Sequence, residues 1–180
     1  MSDAPPDPGR ADGVTDADLA AMSRQRGRPM RGVVAVAHRC PCGEPDVVRT
    51  APRLPDGTPF PTSFYATCPR LTGALSTLES QGLMREMQDR LGAEPELATA
   101  YLAAHEDYLR RRAELGSVEE IDGISAGGMP DRVKCLHVLA AHSLGVGPGV
   151  NPLGDEALAL LGPWWEPTSC AQQAAEDPAS

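Results

Sequence analysis

The stretch GVVAVAHRCPCGEPDVVRTAPRLPDGTPFPTSFYATCP, residues 32–69, decides the fold. Gly32–Ala37 is a short apolar run rich in β-branched residues and reads as a buried strand. Asp46–Thr50 reads as a second strand. Thr62–Thr67 alternates around Phe64 and Tyr65 and reads as a third. Between the last two, Leu54-Pro55-Asp56-Gly57-Thr58 is a turn with a mechanism: Pro55 presets the bend and Gly57 accepts a positive φ. The simplest arrangement is a three-stranded antiparallel meander. Its first and third strands end on the same edge of the sheet. The first is followed by His38-Arg39-Cys40-Pro41-Cys42 and the third ends at Cys68-Pro69. The topology is therefore expected to bring Cys40, Cys42 and Cys68 towards one place.

Helices follow. Leu71, Ala74, Leu75 and Leu78 recur at helical spacing, with Gly82 as a stop. A short helix covers Leu83–Leu91. Glu94-Pro95-Glu96 opens a longer one, with proline in the first turn and acids at the positive end of the dipole. Leu97, Tyr101, Ala104 and Tyr108 form its apolar stripe. Glu106 with Arg110, and Asp107 with Arg111, make four-residue pairs on its wet side, and Gly116 ends it. The glycine-rich loop 123–128 leads into a helix expected over Asp131–Leu144, and a last short helix is expected over Asp155–Leu161. The fold class is thus α+β, a small three-stranded antiparallel sheet followed by four to five helices in a single domain, residues 31–165. Residues 1–30, with a short helical stretch around Asp16–Met22, read as a flexible arm. Residues 166–180 read as a flexible tail, and Cys170 within it is set aside as a site residue.

A chain of 180 residues with 41% hydrophobic content builds one core of ordinary size. The formal net charge of -9 argues against general nucleic-acid binding and against an anionic membrane surface. No apolar run approaches the roughly 18 residues needed to span a bilayer, so no membrane insertion is expected. The N-terminus shows no charged-then-apolar leader pattern, and a cytoplasmic location is expected. The five cysteines are an odd number in such a setting. That points to metal binding or thiol chemistry rather than a disulfide framework.

The helix expected over Asp131–Leu144 would carry Cys135, His137 and His142. Cys135 and His142, seven residues apart, share a face of an ideal helix, and His137 points elsewhere. A metal site is thus expected from Cys40, Cys68, Cys135 and His142 or His137, with Cys42 and His38 as lesser candidates. Thiolates with imidazole suit zinc first and an iron–sulfur cluster second. An alternative is a pocket for a small anionic ligand such as a phosphorylated molecule. There Gly127 and Gly128 would open the helix, and Arg132 and Lys134, the only lysine, would sit in its first turn. Arg39, Arg49, Arg53 and Arg70 could add charge, with cysteine or histidine doing nucleophilic or acid–base work. Asn151-Pro152 reads as the turn and cap of the last helix, and Trp164-Trp165 as a plug closing the core or a patch for a protein partner.

The stretches His38-Arg39-Cys40-Pro41, residues 61–69 (PTSFYATCP), Lys134-Cys135-Leu136-His137 and Asn151-Pro152-Leu153-Gly154 together resemble the bacterial family known as domain of unknown function 501. The similarity runs from about Arg24 to Trp165 and looks like an actinobacterial member. The family brings no reaction with it. It often carries an aromatic residue where Cys42 stands, so the resemblance implies a core set of Cys40, Cys68, Cys135 and the histidines. Actinobacterial members are also similar in gene setting, near cell-division and polyphosphate genes, which implies an interaction module linked to cell division as a further alternative.

Overall fold

A computed structural model describes residues 13–167 and Cys170. Three strands, β1 (Val33–Arg39), β2 (Pro45–Thr50) and β3 (Phe64–Ala66), form an antiparallel sheet in the order β1-β2-β3. Val36 pairs with Val48 and Arg39 with Pro45 across the first hairpin, and Val47 pairs with Ala66 across the second. The expected meander is therefore present. Register shifts crowd the last residues of β1, between Val36 and Arg39. Such irregularities twist a strand end and re-aim its side chains, here next to Cys40.

The two faces of the sheet follow the period of two. Val47, Phe64 and Ala66 enter the main core with Leu71, Leu75, Tyr108 and Leu139. Val33 and Val48 face the other way, onto Val14 and Met22. Helices α2 (Pro69–Ser80), α3 (Leu83–Ala93), α4 (Pro95–Ala113), α5 (Leu136–Val146) and α6 (Pro152–Leu161) build the main core. α5 is its centre: Leu136, Leu139, Ala140, Ala141, His142 and Ser143 are all buried, as expected of a helix that is apolar nearly all round. The Tyr108 hydroxyl of α4 accepts from the Ser63 backbone N–H at 2.7 Å and so fastens that helix to the start of β3.

The first correction concerns the N-terminal arm. Asp16–Arg26 is a helix, α1, with a capping box between Thr15 and Asp18 and a left-handed Gly27 at its end. It packs on the second face of the sheet, where Met22 is fully buried. Polar links hold it as well. Arg39 donates two hydrogen bonds to the Asp18 carboxylate, at 2.8 and 3.0 Å. Gln25 donates to the Pro45 carbonyl and Arg26 to the Tyr65 hydroxyl. Burial opposes ionisation of Asp18, but the Arg39 contact is the larger effect and holds its carboxyl well below the usual carboxylate range. The sequence concealed the docking of this helix because its apolar stripe is thin and its anchors are polar. Deleting residues 1–26 is expected to cost about 3 kcal/mol, the burial of Met22 with Val14. Urea unfolding measures this, and an unchanged midpoint would show that α1 adds nothing to the sheet. The arm and tail expectations for residues 1–12, 168–169 and 171–180 lie outside the described residues.

The second correction concerns α5, which starts at Leu136 and not at Asp131. The residues before it are tied into the loop. Arg132 N–H donates to Gly128 O, Lys134 N–H to Gly127 O, and Val133 N–H to the Gln88 side chain. Backbone amides that already have carbonyl or amide partners cannot open a helix. α6 begins three residues earlier than expected, at Pro152, with Asn151 as its cap accepting from Gly154 N–H at 3.0 Å. Gly154 lies against α5: a β-carbon there would fall 2.1 Å from the Leu139 carbonyl oxygen. Trp164 and Trp165 meet edge to face with ring centres 4.7 Å apart and pack, half-buried, against the main core.

Candidate functional site

The β1–β2 turn is Cys40-Pro41-Cys42-Gly43. Cys40 N–H donates to Glu44 O and Gly43 N–H returns to Cys40 O at 2.8 Å, with Gly43 at φ +95°. That tight loop turns both sulfurs to one side. Cys68 stands at the N-cap of α2, immediately before Pro69. Cys170 returns from beyond the tryptophan pair. Its sulfur lies 3.4 Å from Cys68 Sγ and 3.7 Å from Cys40 Sγ. The sulfurs of Cys40, Cys42 and Cys170 all lie within 4.8 Å of one another. Cys40, Cys68 and Cys170 are buried and Cys42 is half-buried.

Burial dominates the titration of two of these thiols. It pushes Cys40 up to about 11. It pushes Cys170 up strongly, helped by Cys68 alongside. Burial acts upward on Cys42 too, but the Glu44 backbone N–H and the Cys40 and Cys170 groups outweigh it, and that thiol falls below the ordinary range. Cys42 is thus the most readily ionised of the three and the one nearest solvent.

Cys135 stands apart. It is the N-cap of α5, and its sulfur lies 3.8 Å from His137 Nδ1. That nitrogen also lies 3.1 Å from Glu79 Oε1, and the three groups gather within 4.8 Å. Glu79 is about three turns along α2 from Cys68. The expected single site of sheet-edge and helix ligands therefore divides in two. The edge supplies Cys40, Cys42 and Cys68, and the helix supplies a separate cysteine–histidine pair. The helical wheel failed for Cys135 and His137 because Cys135 is extended, at φ -156°, and lies outside the helix.

His142 belongs to neither group. It is fully buried, with Nε2 2.9 Å from Asp107 Oδ2 and Nδ1 3.2 Å from Asn151 Nδ2. An amide NH2 only donates and a carboxylate only accepts, so the ring is neutral with its proton on Nε2. Burial accordingly pushes its pKa down, against the pull of Asp107. Asp107 also accepts from Arg110 and Arg111 of its own helix, and its bond to His142 ties α4 to α5. His38 Nδ1 lies 2.7 Å from the buried Asp46 carboxylate, on the hairpin and not among the sulfurs.

The expected anion pocket does not sit at a helix start, since α5 opens only at Leu136. The amides of Arg132 and Lys134 are bonded within the loop, as described above. Arg39 holds Asp18, Arg49 donates to Arg111 O, Arg53 reaches Glu120, and Arg70 donates to Glu166 O. Two participants escaped the sequence reading. Cys170 sits in a stretch without periodicity, and Glu79 reads as one more surface acid. The odd cysteine count was the available signal, because four clustered thiols plus one elsewhere make five.

A small α+β protein with a buried thiol cluster at its sheet edge is thereby defined. The chain belongs to the family described as Protein of unknown function (DUF501), whose model matches residues 36–159 and so takes in Cys40, Cys42, Cys68 and Cys135. No curated protein and no solved structure matches the chain. No described helix is long and apolar enough to cross a membrane.

Proposed function

We propose that this protein binds a single zinc ion through Cys40, Cys42, Cys68 and Cys170, as a closed structural centre. The observation that carries the reading is that the sulfurs of Cys40, Cys42 and Cys170 lie within 4.8 Å of one another, with Cys68 Sγ 3.4 Å from that of Cys170. A tetrahedron with zinc–sulfur arms of roughly 2.3 Å has edges of about 3.8 Å. The Cys68–Cys170 and Cys40–Cys170 separations of 3.4 and 3.7 Å are close to such edges. The donor set is also right in chemistry, since soft thiolates select zinc among the common divalent ions. A multi-iron core would hold its cysteine sulfurs farther apart, which favours zinc over an iron–sulfur cluster. Cys42, half-buried and readily ionised, is the natural first ligand to meet an incoming ion. In a reducing cytoplasm the remaining thiols stay available to follow.

Metal analysis of protein purified without oxygen tests this. One zinc per chain is expected. Zinc-free protein with Cys68 and Cys170 joined as a disulfide would replace the metal reading with a redox one.

A further inference from the structure

The second cluster, Cys135 with His137 and Glu79, has its own chemistry. His137 Nε2 lies 3.1 Å from the Thr72 carbonyl oxygen, which can only accept, and 3.3 Å from the Ser76 hydroxyl, which can accept as well, so a proton on that nitrogen serves both. Nδ1 faces Glu79 Oε1 at 3.1 Å, an acceptor when ionised, so that nitrogen carries one too. The same carboxylate oxygen accepts from Leu136 N–H at 2.8 Å, which fixes it against the first turn of α5. The ring is therefore a positioned imidazolium, and the Cys135 sulfur rests 3.8 Å from it at a helix N-terminus. A neighbouring cation and a helix N-terminus are the two surroundings that turn cysteine into a nucleophile.

The groups facing the sulfur can be named. His137 and the Val138 backbone N–H favour the thiolate, Glu79 from α2 opposes it, and Tyr108 from α4 senses its charge from within the core. Burial acts upward on Cys135, but His137 and the Val138 amide outweigh it, and the thiol lies below its ordinary range. His137 in turn is raised to about 9, first by Cys135 and, against burial, by Glu79. The site is open to small reagents: Cys135 is half-buried, and the side chains of His137 and Glu79 are 26% and 23% exposed. Arg132 and Lys134 are both exposed on the loop that enters Cys135 and are the cations next to it in the chain.

We propose that Cys135 is a nucleophile that exchanges with small anionic disulfides, with His137 as its proton partner. The Cys135 thiolate attacks one sulfur of the disulfide. A Cys135–sulfur bond forms as the disulfide bond breaks, and the departing thiolate takes the His137 proton. Cys135 is oxidised to a mixed disulfide and the reagent is reduced to one equivalent of thiol. This site shares no residue with the zinc centre, so either can fail without the other.

The experiment treats the protein as purified with glutathione disulfide across pH 6.5–8.5, with peptide mapping to locate the adduct. Modification is expected at Cys135, with a rate that rises clearly less steeply over the range than that of an ordinary thiol. An ordinary thiol titrating near 8.5 would gain about fiftyfold over the same range. His137→Gln is expected to restore the steep rise, and the wild-type profile alone keeps the test decisive should that variant fold poorly. Neutral hydroxyethyl disulfide is expected to react several-fold more slowly, because it gains nothing from Arg132 and Lys134. Modification confined to Cys42, or a steep profile at Cys135, overturns the proposal. So would protection of Cys135 by a second equivalent of zinc, since the cluster would then be a metal site.

Discussion

Cys68→Ser and Cys170→Ser are each expected to empty the zinc site and lose several kcal/mol of stability, and the double variant is expected to be little worse than either alone. The ligands come from a hairpin, the head of α2 and a residue far along the chain, so a bound ion links segments that are otherwise joined only through the core. Its binding free energy is then folding free energy. Either substitution breaks the same link, which is why the effects should not add. Bare buried thiols behave differently. Each serine would cost the burial of its hydroxyl, about 1–3 kcal/mol, and the double variant would accumulate both costs. Urea unfolding with and without a chelator separates the cases: the chelator should weaken only the wild type. Cys135→Ser serves as the contrast and should keep its zinc. If chelator leaves the wild-type midpoint where it was, no metal links these segments.

Gly154→Ala is expected to cost about 3 kcal/mol or more, above the usual penalty for a single added methyl. The new carbon would sit 2.1 Å from the Leu139 carbonyl oxygen and 2.4 Å from Ser143 Oγ. Backbone cannot swing aside as a flexible side chain can, so α6 has to move bodily away from α5. That movement would also pull on Asn151, which caps α6 and donates to the buried His142. Gly73→Ala in α2 provides the comparison. Nothing lies within 4 Å of the added carbon there, so the change should stabilise by about 0.5–1 kcal/mol through helix propensity. Thermal unfolding of the two variants measures both signs. A Gly154→Ala protein as stable as the parent would mean that the helices pack less closely than described.

The sheet was legible because its signals are local. Strand alternation around Phe64 and the Pro55-Asp56-Gly57 bend act within a few residues, and the bend closes as expected, with Gly57 N–H on Leu54 O. The placing of Cys40 near Cys68 followed from topology alone. The rest depended on partners remote in sequence. α1 is held by Arg39, Pro45 and Tyr65, none of which leaves a trace in residues 16–26. The start of α5 was misplaced because Asp131 resembles a cap, whereas Gly127, Gly128 and Gln88 had already bound the next three amides. His137 was placed on a different face from Cys135 by a helical wheel that does not extend to the residue before the helix. Cys170 was discounted for its surroundings, although its burial is decided by Cys40 and Cys68.

The tryptophan pair gives the molecule a local optical reporter. The chain has two tryptophans, adjacent to each other between α6 and Cys170. Ultraviolet emission excited at the red edge of the protein band therefore comes from that corner alone. Undocking of α1, on the far face of the sheet, should pass unseen by it. Release of Cys170 from its sulfur neighbours should change it, because Cys170 lies five residues beyond Trp165 in the chain. The edge-to-face indoles, 4.7 Å apart, should also couple and give a near-ultraviolet circular dichroism couplet that vanishes when their fixed angle is lost.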